Sequence, residues 1–431
     1  MNELKGNLPE GFKMTELGPL PEEWEVVRLG DVFNVQQGKQ LSGKEVRDGK
    51  IKKPFLRTSN LSWGYINISN VDEMYFTPEE FEKLKLKKGD VLVCEGGDIG
   101  RTALYRGELK ECAYQNHLHR LRPKKENIDV EFFVFWMDHA VNQRQLYTYT
   151  ANRTTIPNLS SSRLKNFIFP LPPLPEQRKI AAILSAVQEA KEKTEAVISA
   201  TRELKKSMMN YLFTYGPVSV VDAENVPLKE TEVGMIPEEW EVVRLGDVAE
   251  DRRETVDPKK KDIAYVGLEH LIPGTIRLNN YGNSKEIKSS KSKFYKDDIL
   301  YAKLRPYLDK GVLAEFEGIC STDIIVVQPN KRLINPQYLA YFIHISKFLN
   351  FATKSMTGVN HPRTNWSILK TFKIPLPPLP TQQKIASILS AIDQKIEAEE
   401  NKKKALEDLF KTLLHNLMTA KIRVNNLEVG V

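Results

Sequence analysis

A chain of 431 residues, 41% hydrophobic and 28% charged, has the composition of a soluble globular protein and length for two or three domains, each with an ordinary core. It contains no run of 18 apolar residues and opens on MNELKGNLPEGF, which lacks an apolar signal region, so the expectation is no membrane span, no signal peptide and a cytoplasmic address. Its three cysteines, Cys94, Cys112 and Cys320, argue against a disulfide framework or a zinc ribbon, and a net charge of +7 suits a polyanionic partner without requiring one.

The first recognisable segment is repeated. Thr15-Glu16-Leu17-Gly18 and PEEWEVVRLGDV (21–32) return as Thr231-Glu232-Val233-Gly234 and PEEWEVVRLGDV (237–248), 216 positions later. The interior that follows is variable. KPFLRTSNL (53–61) has a faint counterpart in DIAYVGLEHL (262–271), and KKGDVLVCEGGDIG (87–100) in YKDDILYAKLRP (295–306). A second block, FIFPLPPLPEQRKIAAILSAV (167–187), comes back as FKIPLPPLPTQQKIASILSAI (372–392) with 15 of 21 identities, at an offset of 205. The pattern is an internal duplication with fixed ends and contents of different length.

Each proline block is a stiff joint, because every ring fixes φ and removes a donor. After it the spacing becomes helical. Ile180, Ile183, Val187, Ala190, Thr194, Val197, Thr201, Leu204, Met208 and Tyr211 alternate in threes and fours, which predicts a long helix from Pro175 to Gly216-Pro217 with a narrow seam. The second copy uses Ile385, Ile388, Ile392, Leu406, Leu409, Leu413 and Leu417, interrupted by EAEENKKK (397–404), which is read as a solvated face. Helices of some 40 residues span about 60 Å at 1.5 Å per residue. Paired antiparallel with each other, they would bury both seams and relate the two halves by an approximate two-fold.

Catalytic motifs are weak. GKQLSGKE (38–45) has P-loop spacing, but Glu45 stands where the magnesium-binding hydroxyl belongs. His117 and His119 would share a face on a strand, with no further metal ligand nearby in sequence. There is no PD…(D/E)xK pattern, no Asn-Pro-Pro-aromatic segment and no GxGxxG, so neither nuclease nor methyltransferase chemistry has support.

The order of parts, with PEEWEVVRLGDV, GGDIGR, PLPPLPEQRKIA and LMTAKIRV in place, resembles the specificity subunit of type I restriction and modification enzymes, over about Gly18 to Val424. The resemblance implies two mixed α/β target recognition domains joined by two long antiparallel coiled-coil helices. The divisions expected are 15–174, a central helix 175–215, a linker 216–230, a second recognition domain 231–379 and a C-terminal helix 380–421. Each domain would read one half of a bipartite asymmetric site on double-stranded DNA. The helices would set the spacer and dock two adenine methyltransferase subunits, which recruit nuclease/translocase subunits. The chain itself would be non-catalytic and hold no cofactor, with S-adenosylmethionine, ATP and magnesium in the partner subunits.

On that reading, cations bind phosphates while polar side chains read base edges. The candidates in the first domain are Lys39, Lys44, Arg57, Thr58, Asn60, Arg101, Gln115, Asn116, His117, Arg153 and Thr154, within the run Asn152 to Thr155. In the second they are Glu269, His270, Lys303, Arg305, Asn360, His361 and Arg363, and the 205 offset pairs Asn158 with Arg363. Two competing readings are a protein-pairing scaffold indifferent to DNA and a self-sufficient restriction or modification enzyme.

Overall fold

The computed structural model describes residues 8–40, 49–146, 158–257, 262–287 and 289–424. It resolves into two compact units, one joining residues up to Thr194 to those from Lys402 onward, the other holding Glu195–Asn401. Both boundaries cut through a long helix. The helices run Leu174–Tyr215 and Leu379–Met418, close to the lengths read from sequence. They are not domains of their own, because a single helix has no core and each half must bury its apolar face against the nearest sheet domain.

The two repeated blocks of each half meet in space. Strand Glu25–Arg28, from the opening repeat, pairs antiparallel with Ile168–Leu171 of the proline block, and Glu241–Arg244 pairs likewise with Lys373–Leu376. Trp24 and Trp240 are fully buried behind these pairs. The glutamine of the proline block is a shared bolt. Gln177 accepts the Asp129 amide at 2.8 Å and donates to the carbonyls of Pro172 and Asn127. Gln382 accepts the Asn335 amide at 2.7 Å and donates to Pro377 and Leu333. A buried amide must satisfy its donors and acceptor internally, which explains why this residue is kept while its neighbour changes from Glu176 to Thr381.

The interiors have one topology despite their divergence. In the first unit a four-stranded sheet follows the order Thr102–Leu104, Val91–Cys94, Leu118–Pro123, Phe33–Gln37; in the second the order is Gly311–Leu313, Ile299–Ala302, Ile324–Pro329, Ala249–Asp251. Beside each lies a sheet with one parallel pairing, Ala113–Tyr114 on Ile51–Leu56 and Gly318–Cys320 on Ala264–Val266. The second unit adds the strands Thr255–Val256 and Lys291–Phe294. These registers make Leu56 equivalent to Val266, Val91 to Ile299 and Tyr114 to Cys320. The offset therefore drains from 216 to 205 through the loops, leaving the strands in step.

The helices pack by halves. In the first unit Ile180, Ala181 and Leu184 share a core with Leu414, Leu417 and Met418, while Phe410 lies 6.0 Å from Phe135 and under the Lys191 ammonium. Here Glu176 accepts the Trp24 indole N–H at 2.9 Å and pairs with Arg423 at 2.9 Å. In the second, Met209, Leu212 and Phe213 pack with Ile385, Ala386 and Leu389. Ile183, Met208, Ile388, Ile392 and Leu413 line these cores and Val187 is half-buried. The expected seam is wrong at Leu204, which is 51% exposed, and at Leu409, 45% exposed; Val197 also faces outward. Ile198 and Lys205 point inward instead. The buried stripe keeps the seven-residue repeat, with Leu184, Ile198 and Leu212 buried and Thr194 buried between them, so one of the two expected seam positions holds while the other lies one residue later along the whole helix.

The charged run is not simply a solvated face. Glu400 pairs with Arg202 at 2.6 Å, Glu397 pairs with Arg277, and Glu399 is buried and pairs with Lys395 at 2.5 Å. One turn earlier, the nearly buried pair Lys205–Asp393, at 2.7 Å, also receives the Tyr341 hydroxyl at 2.8 Å.

Candidate nucleic-acid interface

Loops that follow the sheet strands collect at one edge of each unit, held by the same backbone ladder. In the first unit the Gln115 amide donates to Leu56, Glu95 to His117 and Leu159 to Glu95, at 2.8 to 2.9 Å. In the second, Ser321 donates to Val266, Lys303 to Asp323 and Thr364 to Lys303, at 2.9 to 3.0 Å. Loops so tethered form a rigid rim whose side chains are free to differ.

The side chains do differ, position by position. The ladder sets Glu95 opposite Lys303, His117 opposite Asp323, and Asn158 opposite Arg363, the pairing expected from the 205 offset. Gly97, with φ at +72°, is matched by Arg305 at +51°. A left-handed backbone costs a non-glycine residue roughly 1–2 kcal/mol, so the exposed Arg305 occupies a position whose geometry favours glycine. At Asn60 and His270 the function is shared: each side chain accepts the amide three residues earlier, from Arg57 and Gly267, at 2.9 Å.

The candidates taken from sequence fall into three groups. Arg305, His117, Glu269, Asn360 and His361 are exposed at the rim, and Lys303, Gln115 and Asn116 are half-exposed there. Others are committed inside the fold. Asn60 is 3% exposed and donates to the carbonyls of Asn67 and Asn70, so it shapes the turn and has no amide left for a base edge. Lys39 donates to the Tyr75 carbonyl and to Glu80, both at 2.8 Å, and lies over the Phe76 ring. A phosphate role does not fit that geometry, since Lys39 instead holds the Glu80 carboxyl below its usual range. His270 is spent on its turn, Arg57 is paired with Asp72 at 2.7 Å, and the Thr58 carbonyl accepts from Arg101. Arg363 grips both oxygens of Asp323, at 2.9 and 3.3 Å, and lowers that carboxyl's pKa. The third group, Lys44, Arg153 and Thr154, lies outside the described residues, as does most of GKQLSGKE.

His117 and His119 do not share a face. His117 lies in the exposed turn before the strand, while His119 is fully buried with Nε2 3.0 Å from the Leu159 carbonyl; burial lowers its pKa despite nearby Glu95. Among the described residues no cluster of three His, Cys, Asp or Glu side chains forms a metal site, and all three cysteines are buried thiols. No described helix is long and apolar enough to cross a membrane.

Sequence reasoning missed Glu95, Asp323 and Val359. The last is 98% exposed at the tip of a loop closed by two Thr357–Arg363 backbone bonds of 3.0 Å. The Glu95 and Lys303 contrast was within reach, because KKGDVLVCEGGDIG and YKDDILYAKLRP align those two residues once the strand register is known.

The type I restriction modification DNA specificity domain matches the chain twice, over residues 21–200 and 237–408. A Methanocaldococcus jannaschii chain, named provisionally as the specificity subunit of the type I restriction enzyme MjaX, is 29% identical over 96% of this chain and 97% of its own length. The EcoDI specificity subunit of Escherichia coli is 24% identical over 96% of this chain and 88% of its own. In fold, the type I restriction-modification S subunit from M. genitalium covers 91% of this chain and 96% of its own, with a TM-score of 0.57 at 18% identity. With both domain copies matched across most of its length, this chain belongs to the family of type I restriction modification DNA specificity domains.

Proposed function

We propose that the chain is the DNA-recognition subunit of a type I restriction-modification complex, each unit's rim reading one half of a bipartite, asymmetric duplex site. The observation that carries this is the pair of identical backbone ladders bearing opposed side chains, Glu95 against Lys303 and His117 against Asp323. One rim offers the exposed His117 imidazole with the Glu95 carboxylate held by Gln37 behind it, the other the half-exposed Lys303 ammonium beside the Asp323–Arg363 pair, so the two copies present different donor and acceptor patterns to base edges. Exposed His117, Glu269, Arg305, Asn360 and His361 are the side chains assigned to base or phosphate contact, with Lys303, Gln115 and Asn116 beside them. Val359 supplies an apolar contact suited to a thymine methyl.

The long helices pair antiparallel along their lengths as a coiled coil. That pair sets the spacer and docks two adenine methyltransferase subunits, through which nuclease/translocase subunits join. Support comes from the contacts within each unit, Glu176–Arg423 in one and Lys205–Asp393 in the other. The chain is the specificity component, with no catalytic step of its own. S-adenosylmethionine, ATP and magnesium belong to the partner subunits, and the complex works in the cytoplasm.

The test is a genome-wide map of N6-methyladenine in the source strain with and without this gene. Loss of one bipartite asymmetric motif, all others intact, is the expected result and delivers both half-sites and the spacer. Unchanged methylation in a strain that expresses the complex would move the assignment to a protein-pairing scaffold.

A further inference from the structure

Strand register makes Arg101 and Lys310 the same residue of the two copies. The Arg101 carbonyl accepts the Cys94 amide and the Lys310 carbonyl accepts the Ala302 amide, both at 2.9 Å, and each follows a left-handed residue, Gly100 or Asp309. By the same registers Thr58 is equivalent to Leu268, two residues beyond the matched pair Leu56 and Val266. Arg101 Nη2 donates to the Thr58 carbonyl at 2.8 Å, and Lys310 Nζ donates to the Leu268 carbonyl at 2.8 Å. Two cations of different length and shape make the same bond to the same backbone oxygen, while the rim around them has changed sign.

A side chain that met phosphate would keep its charge outward. Arg101 does the reverse: it is 20% exposed, its Nη1 is held by Asp98, and its Nε is buried. The carbonyls at Thr58 and Leu268 belong to the loops that carry Ser59 and Glu269 onto the rim, so their placement governs what those loops can meet.

We infer that Arg101 and Lys310 are equivalent positioning residues, each clamping the first rim loop of its domain through one carbonyl and thereby setting half-site discrimination without contacting a phosphate. The inference rests on the DNA-reading assignment above. A guanidinium or ammonium donor to a carbonyl is stronger than a neutral bond, and a neutral substitute leaves the loop free to sample other positions.

The experiment uses the full chain in complex with its methyltransferase subunits, with binding measured to the mapped site and to single-base variants of each half across a salt series. Arg101→Gln and Lys310→Gln are compared with Arg101→Lys and Lys310→Arg. Each Gln variant should lose roughly tenfold to hundredfold discrimination in one half-site only, a different half for each, as expected for lost base readout. The salt slope should stay unchanged, and the exchanged cations should restore discrimination, since both types already serve at this position. Uniform loss across sequences with a slope reduced by about 1 would identify a phosphate contact and overturn the inference. So would Gln variants that discriminate like the parent, or two variants that damage the same half.

Amide hydrogen exchange of the free full chain separates the two levels of the argument. Faster exchange confined to residues 57–67 in Arg101→Gln and to 267–276 in Lys310→Gln supports the clamp, and unchanged exchange refutes it. A parent complex without sequence preference would sink the DNA-reading assignment and the discrimination role together, while the exchange result would still decide whether the clamp exists.

Discussion

Arg305 is where backbone and side chain make opposite demands. Its left-handed φ suits glycine, which the other copy has at Gly97, so replacing it should cost the fold little. Relief of strain and the added chain entropy of glycine nearly offset, leaving Arg305→Gly within about 1 kcal/mol of the parent in urea unfolding. Binding should suffer more, by about 1–3 kcal/mol of discrimination in one half-site, the usual worth of a good arginine-to-base contact. Equal losses at every sequence would reassign Arg305 to phosphate. A second residue carries a pH dependence. His139 is fully buried against His415, Arg144 lies nearby, Lys421 contacts the far side of His415, and burial holds the His139 pKa down at about 3. The unfolded imidazole takes up its proton near pH 6.5, so between pH 6.5 and 3 the unfolded state binds more protons and stability falls as pH falls. His119 and His415 are shifted in the same direction. His139→Leu should therefore flatten the acid limb of the stability profile by up to about 1.4 kcal/mol per pH unit without abolishing it, with no change in slope above pH 7. An unaltered acid limb would contradict the assignment.

At the scale of elements, the long helices show what periodicity conveys and what it omits. The first follows from the apolar spacing and the flanking Pro175 and Gly216, and it begins and ends within one residue of those signals, whereas the second stops at Met418, three residues short of the expected 421. One seam position of the first helix, through Ile180, Val187, Thr194, Thr201 and Met208, was legible, while the other lies one residue later than expected throughout, because threes and fours alternate equally well in either order and apolar Val197 and Leu204 favour the wrong one. Ile198→Ala should cost about 2–4 kcal/mol in unfolding experiments, as a truncated buried side chain, whereas Leu204→Ala, at an exposed site, should stay within about 0.5 kcal/mol. Reversed costs would put Leu204 rather than Ile198 in the seam. The ion pairs of EAEENKKK were illegible for a different reason. Glu397 and Glu400 look like any solvated helix charges until a distant Arg277 and a facing Arg202 are brought beside them. At the rim, the sequence candidates fall on the tethered loops, but residue type could not separate outward-facing Arg305 from Arg363, which is folded onto Asp323.

For the molecule as a whole, the repeated blocks act as a socket for interchangeable contents. The Leu29 amide donates to Phe167 and the Leu245 amide to Phe372, at 2.9 and 2.8 Å, closing each interior at the same point, and Gly30 and Gly246 lie against Lys165 and Lys370 where a Cβ would come within 3.0 Å. Residues 30–166 should therefore fold in place of 246–371, giving a chain with two copies of the first reader. One mismatch is foreseeable. Phe135 would replace Tyr341, its equivalent in the helix that Asp129 and Asn335 cap, and Asp393 would lose the hydroxyl that now donates to it at 2.8 Å. Asp393 is 9% exposed, and a buried carboxylate short of one donor costs about 1–3 kcal/mol. In the first unit the same helix positions are Gln188 and Phe410, with Phe410 packing on Phe135. The hybrid should thus be less stable than the parent by about 1–3 kcal/mol, and adding Asp393→Gln with Lys205→Phe should recover most of that loss. Expressed with its methyltransferase partners, it should methylate a motif built from two copies of one parental half-site, with the other half absent from the methylome. A hybrid that folds to parental stability yet retains the asymmetric parental motif would show that half-site identity lies in the repeated frame rather than in the rims it holds.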